Sequence, residues 1–145
     1  MPDMDFGFCG VNAGVMADPA TMVEAARTAE ATGWESIWTG EHLVAVSPQR
    51  PPSPVRPDTH FVDQVAALAH LAAHTTTLRL GTGIVILPQR NPVVLAKELA
   101  SIDALSGGRP EAGFGVGYLP DEFDAVGVLF SERGPLMDNH TDALR

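Results

Sequence analysis

The sequence predicts an α/β fold, with parallel strands joined by helices. Strand and helix patterns alternate along the whole 145-residue chain, which is the signature of βαβ units. Two helix starts carry an N-cap followed by proline, Asp18-Pro19 and Asn91-Pro92. The unusual residues gather just after the strand patterns rather than within the helices.

Asp5 to Cys9 reads as a short first strand. Asp18 caps the first helix, in which Met22, Val23, Ala26 and Ala29 share a face and Gly33 suits the end. Ser36 to Thr39 is the second strand and ends at Gly40. The stretch "SPQRPPSPVRP" (47 to 57) is too rich in proline to be anything but loop. Phe61 to His74 is the second helix, with Val62, Val65, Ala66, Ala69 and Ala72 as its apolar stripe.

Leu78 to Ile86 is the third strand. The run from Leu80 to Leu87 shows no polar alternation, so it reads as buried on both faces. It nonetheless contains Gly81 and Gly83, which mark a bulge or a close approach to backbone. A third helix runs from Pro92 to about Leu105 and stops at Gly107 and Gly108. Glu111 to Val116 is the fourth strand, followed by "GYLPDEFDAVG". A last helix starts near Ser131 or Gly134, where Gly134 and Pro135 interrupt its pattern.

Four such units fit an open doubly wound sheet or part of a (β/α)8 barrel. The open fold would carry G-x-G-x-x-G after strand one. Here "CGVNAG" follows strand one without that spacing, and "GFGVG" comes too late and one residue short. The barrel is the better choice.

Composition narrows the function. A formal charge of −9 argues against nucleic acid and anionic membrane surfaces. Cys9 is the single cysteine, so neither an intrachain disulfide nor a cysteine-rich zinc site is available. The start, "MPDMDFGFCG", lacks a leader-like pattern, and no apolar run approaches the ~18 residues of a membrane helix. These features predict a soluble, cytoplasmic protein.

In a barrel, chemistry sits at the C-terminal ends of the strands. Those ends carry Cys9, Gly10 and Asn12, then Gly40, Glu41 and His42, then Gly83 to Leu87, then Gly115, Gly117 and Tyr118. His70 and His74 lie four apart on a helix, a metal half-site by spacing. No glutamate stands beside His70 as in H-E-x-x-H, and no third ligand is evident, so no metal is expected. Cys9 reads as a small buried hydrophobe rather than a nucleophile.

Three stretches carry a family resemblance: "AEATGWESIWTGEHL" (29 to 43), "RLGTGIVILPQRNPVVLAKELASIDALSGGR" (79 to 109) and "GFGVGYLPDEFDAVGVLFSERG" (113 to 134). In order and spacing the chain resembles the N-terminal half of the luciferase-like monooxygenase superfamily. It is most similar to the branch using coenzyme F420, a deazaflavin hydride carrier. The resemblance implies the first half of a (β/α)8 barrel, four parallel strands with intervening helices, and a cofactor lying across the strand ends. It implies a non-proline cis peptide at Gly83-Ile84, in a bulge against the cofactor's middle ring; such a bond costs ~3–4 kcal/mol and persists only where its surroundings impose it. His42 would be the catalytic residue facing the reacting edge, where it would pair with charge on the pyrimidine ring or move a proton for the substrate, work that suits histidine as a residue type. Glu41 would orient His42 or bond the cofactor. Gly115, Gly117 and Tyr118 would let backbone approach the cofactor and lay a ring beside it.

The implied function is an F420-dependent oxidoreductase transferring hydride to or from a small organic substrate. The alternatives are a flavin mononucleotide (FMN)-dependent monooxygenase, a truncated inactive fragment, and a cofactor-binding module without turnover. A complete barrel takes about 250 residues, so residues 1–145 read as one partial barrel domain. Its second half would come from a second copy, as a homodimer, or from a complementary half-barrel.

Overall fold

The structure, a computed structural model, describes residues 4–145. Residues 1–3, the start of the stretch without a leader-like pattern, lie outside the described residues. Four strands form one sheet: β1 (Gly7–Cys9), β2 (Ser36–Thr39), β3 (Arg79–Ile86) and β4 (Pro110–Gly115). Their spatial order is the chain order and every pairing is parallel, as expected of consecutive barrel strands.

Among the described residues five α-helices connect or follow them: α1 (Pro19–Ala31), α2 (Gln64–Ala72), α3 (Pro92–Ser106), α4 (Pro120–Ala125) and α5 (Arg133–Leu144). Both cap-plus-proline signals hold. Asp18 accepts from the Thr21 N–H, and Asn91 accepts from Val93 and Val94, each with proline in the first turn. For α2 the true cap is Asp63, which accepts from Val65 and Ala66, so the helix starts three residues later than expected. Its buried face is Gln64, Ala67, Leu68, Leu71 and Ala72; of the expected stripe, Ala72 is buried, Val62, Val65 and Ala69 pack at its margin, and Ala66 is exposed. The α5 helix starts at Arg133 and takes Gly134 and Pro135 into its first turn, where a missing proline N–H breaks no helical bond.

One sheet face is covered by helices. Met22, Ala26 and Ala29 of α1 and Leu68 and Leu71 of α2 pack on Ile37 and Leu80, with Ile102 of α3 in the same cluster. A second cluster joins Val85, Leu87 and Leu95, with Met137 and Leu144 of α5 against it. Strand alternation sends other residues to the opposite face. There the Trp38 indole lies across its neighbours: a Cβ on Gly81 would stand 2.2 Å from Trp38 Cε3, and one on Gly7 2.6 Å from its Nε1. These two glycines therefore make room for tryptophan. Arg79 and Glu111 form an ion pair further down.

The same alternation corrects Cys9, which is exposed rather than buried, because Phe8 is the β1 residue that packs toward the helices.

Candidate functional site

The expected irregularity on the third strand is present. The β3–β4 register shifts between Thr82 and Val85, so Gly83 and Ile84 leave the regular ladder. Both are exposed, Ile84 at 38%, which departs from a strand buried on both faces. A Cβ on Gly83 would stand 2.5 Å from the Thr39 carbonyl oxygen, so only glycine lets the bulge approach β2 this closely. The expected cis bond at Gly83-Ile84 is not found. Among the described residues the cis peptides are Ser47-Pro48 and Pro51-Pro52, and the bulge takes up its one surplus residue through the register shift instead.

Glu41 follows β2 and is 8% exposed. Its carboxylate accepts from the Ile86 N–H and from Arg90, whose Nε lies 2.8 Å away. The Arg90 Nη2 also donates to Glu41 and, at 2.7 Å, to Asp63 Oδ2. Burial works against charge on Arg90 and Asp63 alike. Their mutual contact and the Glu41 charge outweigh it, raising Arg90 above its ordinary value, and Asp63 sits below its own. Glu41 thus ties β2 to the end of β3, and its carboxylate makes no hydrogen bond to His42.

His42 is partnered instead by Glu122 of α4, with Nδ1 3.0 Å from Oε1. The Glu122 side chain is 1% exposed and that of His42 14%. The His42 ring also meets the edge of Phe61, with centroids 5.3 Å apart. A hollow of about 210 Å³ opens here, lined by Gly40, Glu41, His42, Phe61, Asp63 and Gln64. Its floor is tied down by side chains. Asn12 bonds the Gly40 N–H and both the Gly40 and Val62 carbonyls, while the Gln64 amide donates to the Ile84 carbonyl in the bulge.

Beyond β4, Gly117 has φ +76°, and a Cβ there would stand 2.6 Å from Ile86 Cγ2. One on Gly115 would stand 2.6 Å from Ile84 Cδ1. Gly117 is thus required by backbone conformation and packing, whereas at Gly115 the exposed Ile84 side chain would have to move aside. Tyr118 is 47% exposed; partial burial and the Glu122 carboxylate hold its phenol above the ordinary range. Beside Arg90, the Gln89 amide is buried with neither Nε2 nor Oε1 partnered.

The sequence-predicted residues Glu41, His42, Gly83, Ile84, Gly115, Gly117 and Tyr118 therefore stand at the C-terminal rim of one sheet, two of them within a single hollow. Glu122, Arg90, Asp63 and Asn12 complete the polar network. Of these, Glu122 had a readable signal: Pro120 followed by Asp121 and Glu122 is a helix start with acid in its first turn. His70 and His74 stack edge to face at 4.8 Å, with Arg27 against His74, and no group of three metal-ligating side chains occurs among the described residues. No helix among them is long and apolar enough to cross a membrane.

Comparison with solved structures finds the same architecture. The monooxygenase RslO1 from Streptomyces bottropensis superposes with a TM-score of 0.75 at 31% identity, over 97% of this chain and 42% of that one. The coenzyme F420-dependent tetrahydromethanopterin reductase of Methanopyrus kandleri gives 0.64 at 25% identity, over 88% and 31%. The oxygenating constituent of 3,6-diketocamphane monooxygenase from Pseudomonas putida, in complex with FMN, gives 0.76 at 16% identity, over 97% and 38%, a likeness of fold alone. This chain spans 48% of uncharacterised relatives in Mycobacterium tuberculosis and Mycobacterium bovis, at 29% identity over 138 residues. The family model described as luciferase-like monooxygenase matches residues 4–145. With the parallel strands in barrel order and the family model spanning all described residues, the chain belongs to the luciferase-like monooxygenase family.

Proposed function

We propose that the strand-end rim is the first half of a deazaflavin site, in an oxidoreductase that uses coenzyme F420 on a small organic substrate in the cytoplasm. The observation that carries this reading is the β3 bulge, which presents Gly83 and Ile84 to the rim beside His42's hollow. The rim suits a flat, mostly apolar ring system: Ile84, Val116, Tyr118 and Leu43 are large apolar side chains left exposed around it. Polar groups are few and fixed, as orientation of a ring requires.

The cofactor, when bound, supplies hydride transfer at its central ring. The chain's own residues do the rest. The bulge backbone and Ile84 support the ring face, and Gly115 and Gly117 keep the β4 end flat beside it. Tyr118 lays its ring alongside. His42 holds or moves a proton at the reacting edge. Glu41 acts through the backbone, fixing the Ile86 N–H and Arg90 so that the bulge keeps its shape. Residues 1–145 are read as one partial barrel domain. Further strands from a second copy, or from a complementary half-barrel, complete the site.

A second reading, FMN and monooxygenation, is favoured by one observation: RslO1, at 31% identity, is named a monooxygenase. Titration of the purified chain with F420 and, separately, with FMN tests both. Saturable F420 quenching supports the proposal, and saturable FMN quenching alone supports the second reading. No binding of either by the folded chain, both alone and with a complementary half-barrel, overturns both in favour of an inactive fragment.

A further inference from the structure

We propose that Glu122 is the positioning residue for His42: it holds the imidazole in the tautomer protonated at Nδ1 and leaves Nε2 as a proton acceptor. The assignment rests on the reading of His42 given above and adds which nitrogen is available to a ligand. Its basis is local. Glu122 is 1% exposed, and the contact from His42 Nδ1 at 3.0 Å is the hydrogen bond its carboxylate makes among the described residues. A carboxylate buried that completely needs a donor, because leaving it unpaired costs several kcal/mol. An ionised carboxylate only accepts, so the proton in this contact belongs to Nδ1. The other nitrogen makes no hydrogen bond among the described residues and is not among the enclosed unpartnered atoms, so it stays open to the hollow or to solvent. Phe61, edge-on at 5.3 Å, restricts rotation of the ring.

The placement also couples two loops. Glu122 is carried by α4 after β4, whereas His42 follows β2. On the same short helix, Asp121 is paired with Arg50 of the proline-rich loop. Glu41 is fully engaged with Ile86 and Arg90 and takes no part.

Long-range ¹⁵N–¹H correlation NMR of the neutral imidazole reads the tautomer directly, with His42→Ala used to assign the ring signals. The wild-type chain is expected to show His42 protonated at Nδ1 and bare at Nε2. Glu122→Ala should return the ring to the mixture of a free side chain, in which the Nε2-protonated form dominates. Glu122→Gln, which preserves size, should move the population the same way but less far. A wild-type ring protonated at Nε2 would overturn the proposal, since the carboxyl would then be the donor; this needs no variant to fold. An unchanged Nδ1-protonated ring in both variants would overturn it as well. Cofactor titration is a separate readout, so failure of the deazaflavin reading is distinguishable from failure of this one.

Discussion

At the N-terminal ends of the strands, Glu30 and Arg109 spend most of their bonds on backbone; at the C-terminal ends, Glu41 with Arg90 and His42 with Glu122 meet side chain to side chain as well. Glu30 accepts from the N–H groups of Thr76, Thr77 and Leu78 and from the Thr77 hydroxyl, closing the approach to β3. Arg109, just before β4, donates to the carbonyls of Ala72, Thr75, Leu78 and Ser106 and to the Thr75 hydroxyl. The upper rim is built differently: Glu41, Arg90 and Asp63 form one cluster, His42 and Glu122 another, and the Gln89 amide has no partner. Groups spent on backbone hold a fold, whereas groups that face one another around a hollow can exchange partners with a ligand. In barrels the lower face is where stability concentrates and the upper face is where chemistry does.

The largest expected effect sharpens that division. Arg109→Ala leaves four carbonyls and a hydroxyl short of a donor, and a loss of about 3 kcal/mol is expected from uncompensated polar groups of this kind. Urea denaturation would show it as a lower midpoint with little change in slope. Next, Gly117→Ala places a Cβ at φ +76° against Ile86 and Phe123, and we expect a loss of about 2 kcal/mol. A midpoint unchanged by that variant would mean the β4 end is looser than the packing shows.

Glu30 supplies a pH test of the lower rim. Burial pushes its carboxyl up, but the three backbone N–H groups and the Thr77 hydroxyl pull it down further, to about 2 from an ordinary value of 4.5. A depressed folded value means that its stabilisation is complete above about pH 4.5 and fades as pH falls toward 2. Glu30→Gln should therefore destabilise at neutral pH, by on the order of 1 kcal/mol because the side chain is only half-buried. The difference from wild type should shrink on acidification; a difference constant with pH would contradict the assignment. At the upper rim, His42→Ala removes the one donor of the buried Glu122 carboxylate and should cost about 1–3 kcal/mol while leaving the chain folded. In a complete barrel it should lower turnover about tenfold or more, with little change in cofactor affinity. Loss of fold rather than of turnover would erase the contrast between the rims.

Much of the fold was legible in the sequence because its signals are local. Asp18-Pro19 and Asn91-Pro92 mark helix starts by the chemistry of two adjacent residues, and of the β3 glycines Gly83 announced a bulge while Gly81 marked a close approach. Long-range choices were less visible. Asp63 outcompeted Phe61 as the start of α2 because its carboxylate caps two N–H groups, and Gln64 then turned inward to reach the bulge. The partner of His42 lies 80 residues away, on a helix of six residues too short to show periodicity. Trp38 settles over Gly7 and Gly81 for a similar reason: strand register joins those residues, and no local pattern does.

The most direct test of the whole account is amide hydrogen–deuterium exchange of the chain with and without coenzyme F420. Added protection is predicted at residues 40–43, 83–87 and 115–118, with no change at 75–79 or 106–110. Protection spread over the lower rim, or a binding cofactor that protects neither rim, would contradict the claim that the upper rim is the site.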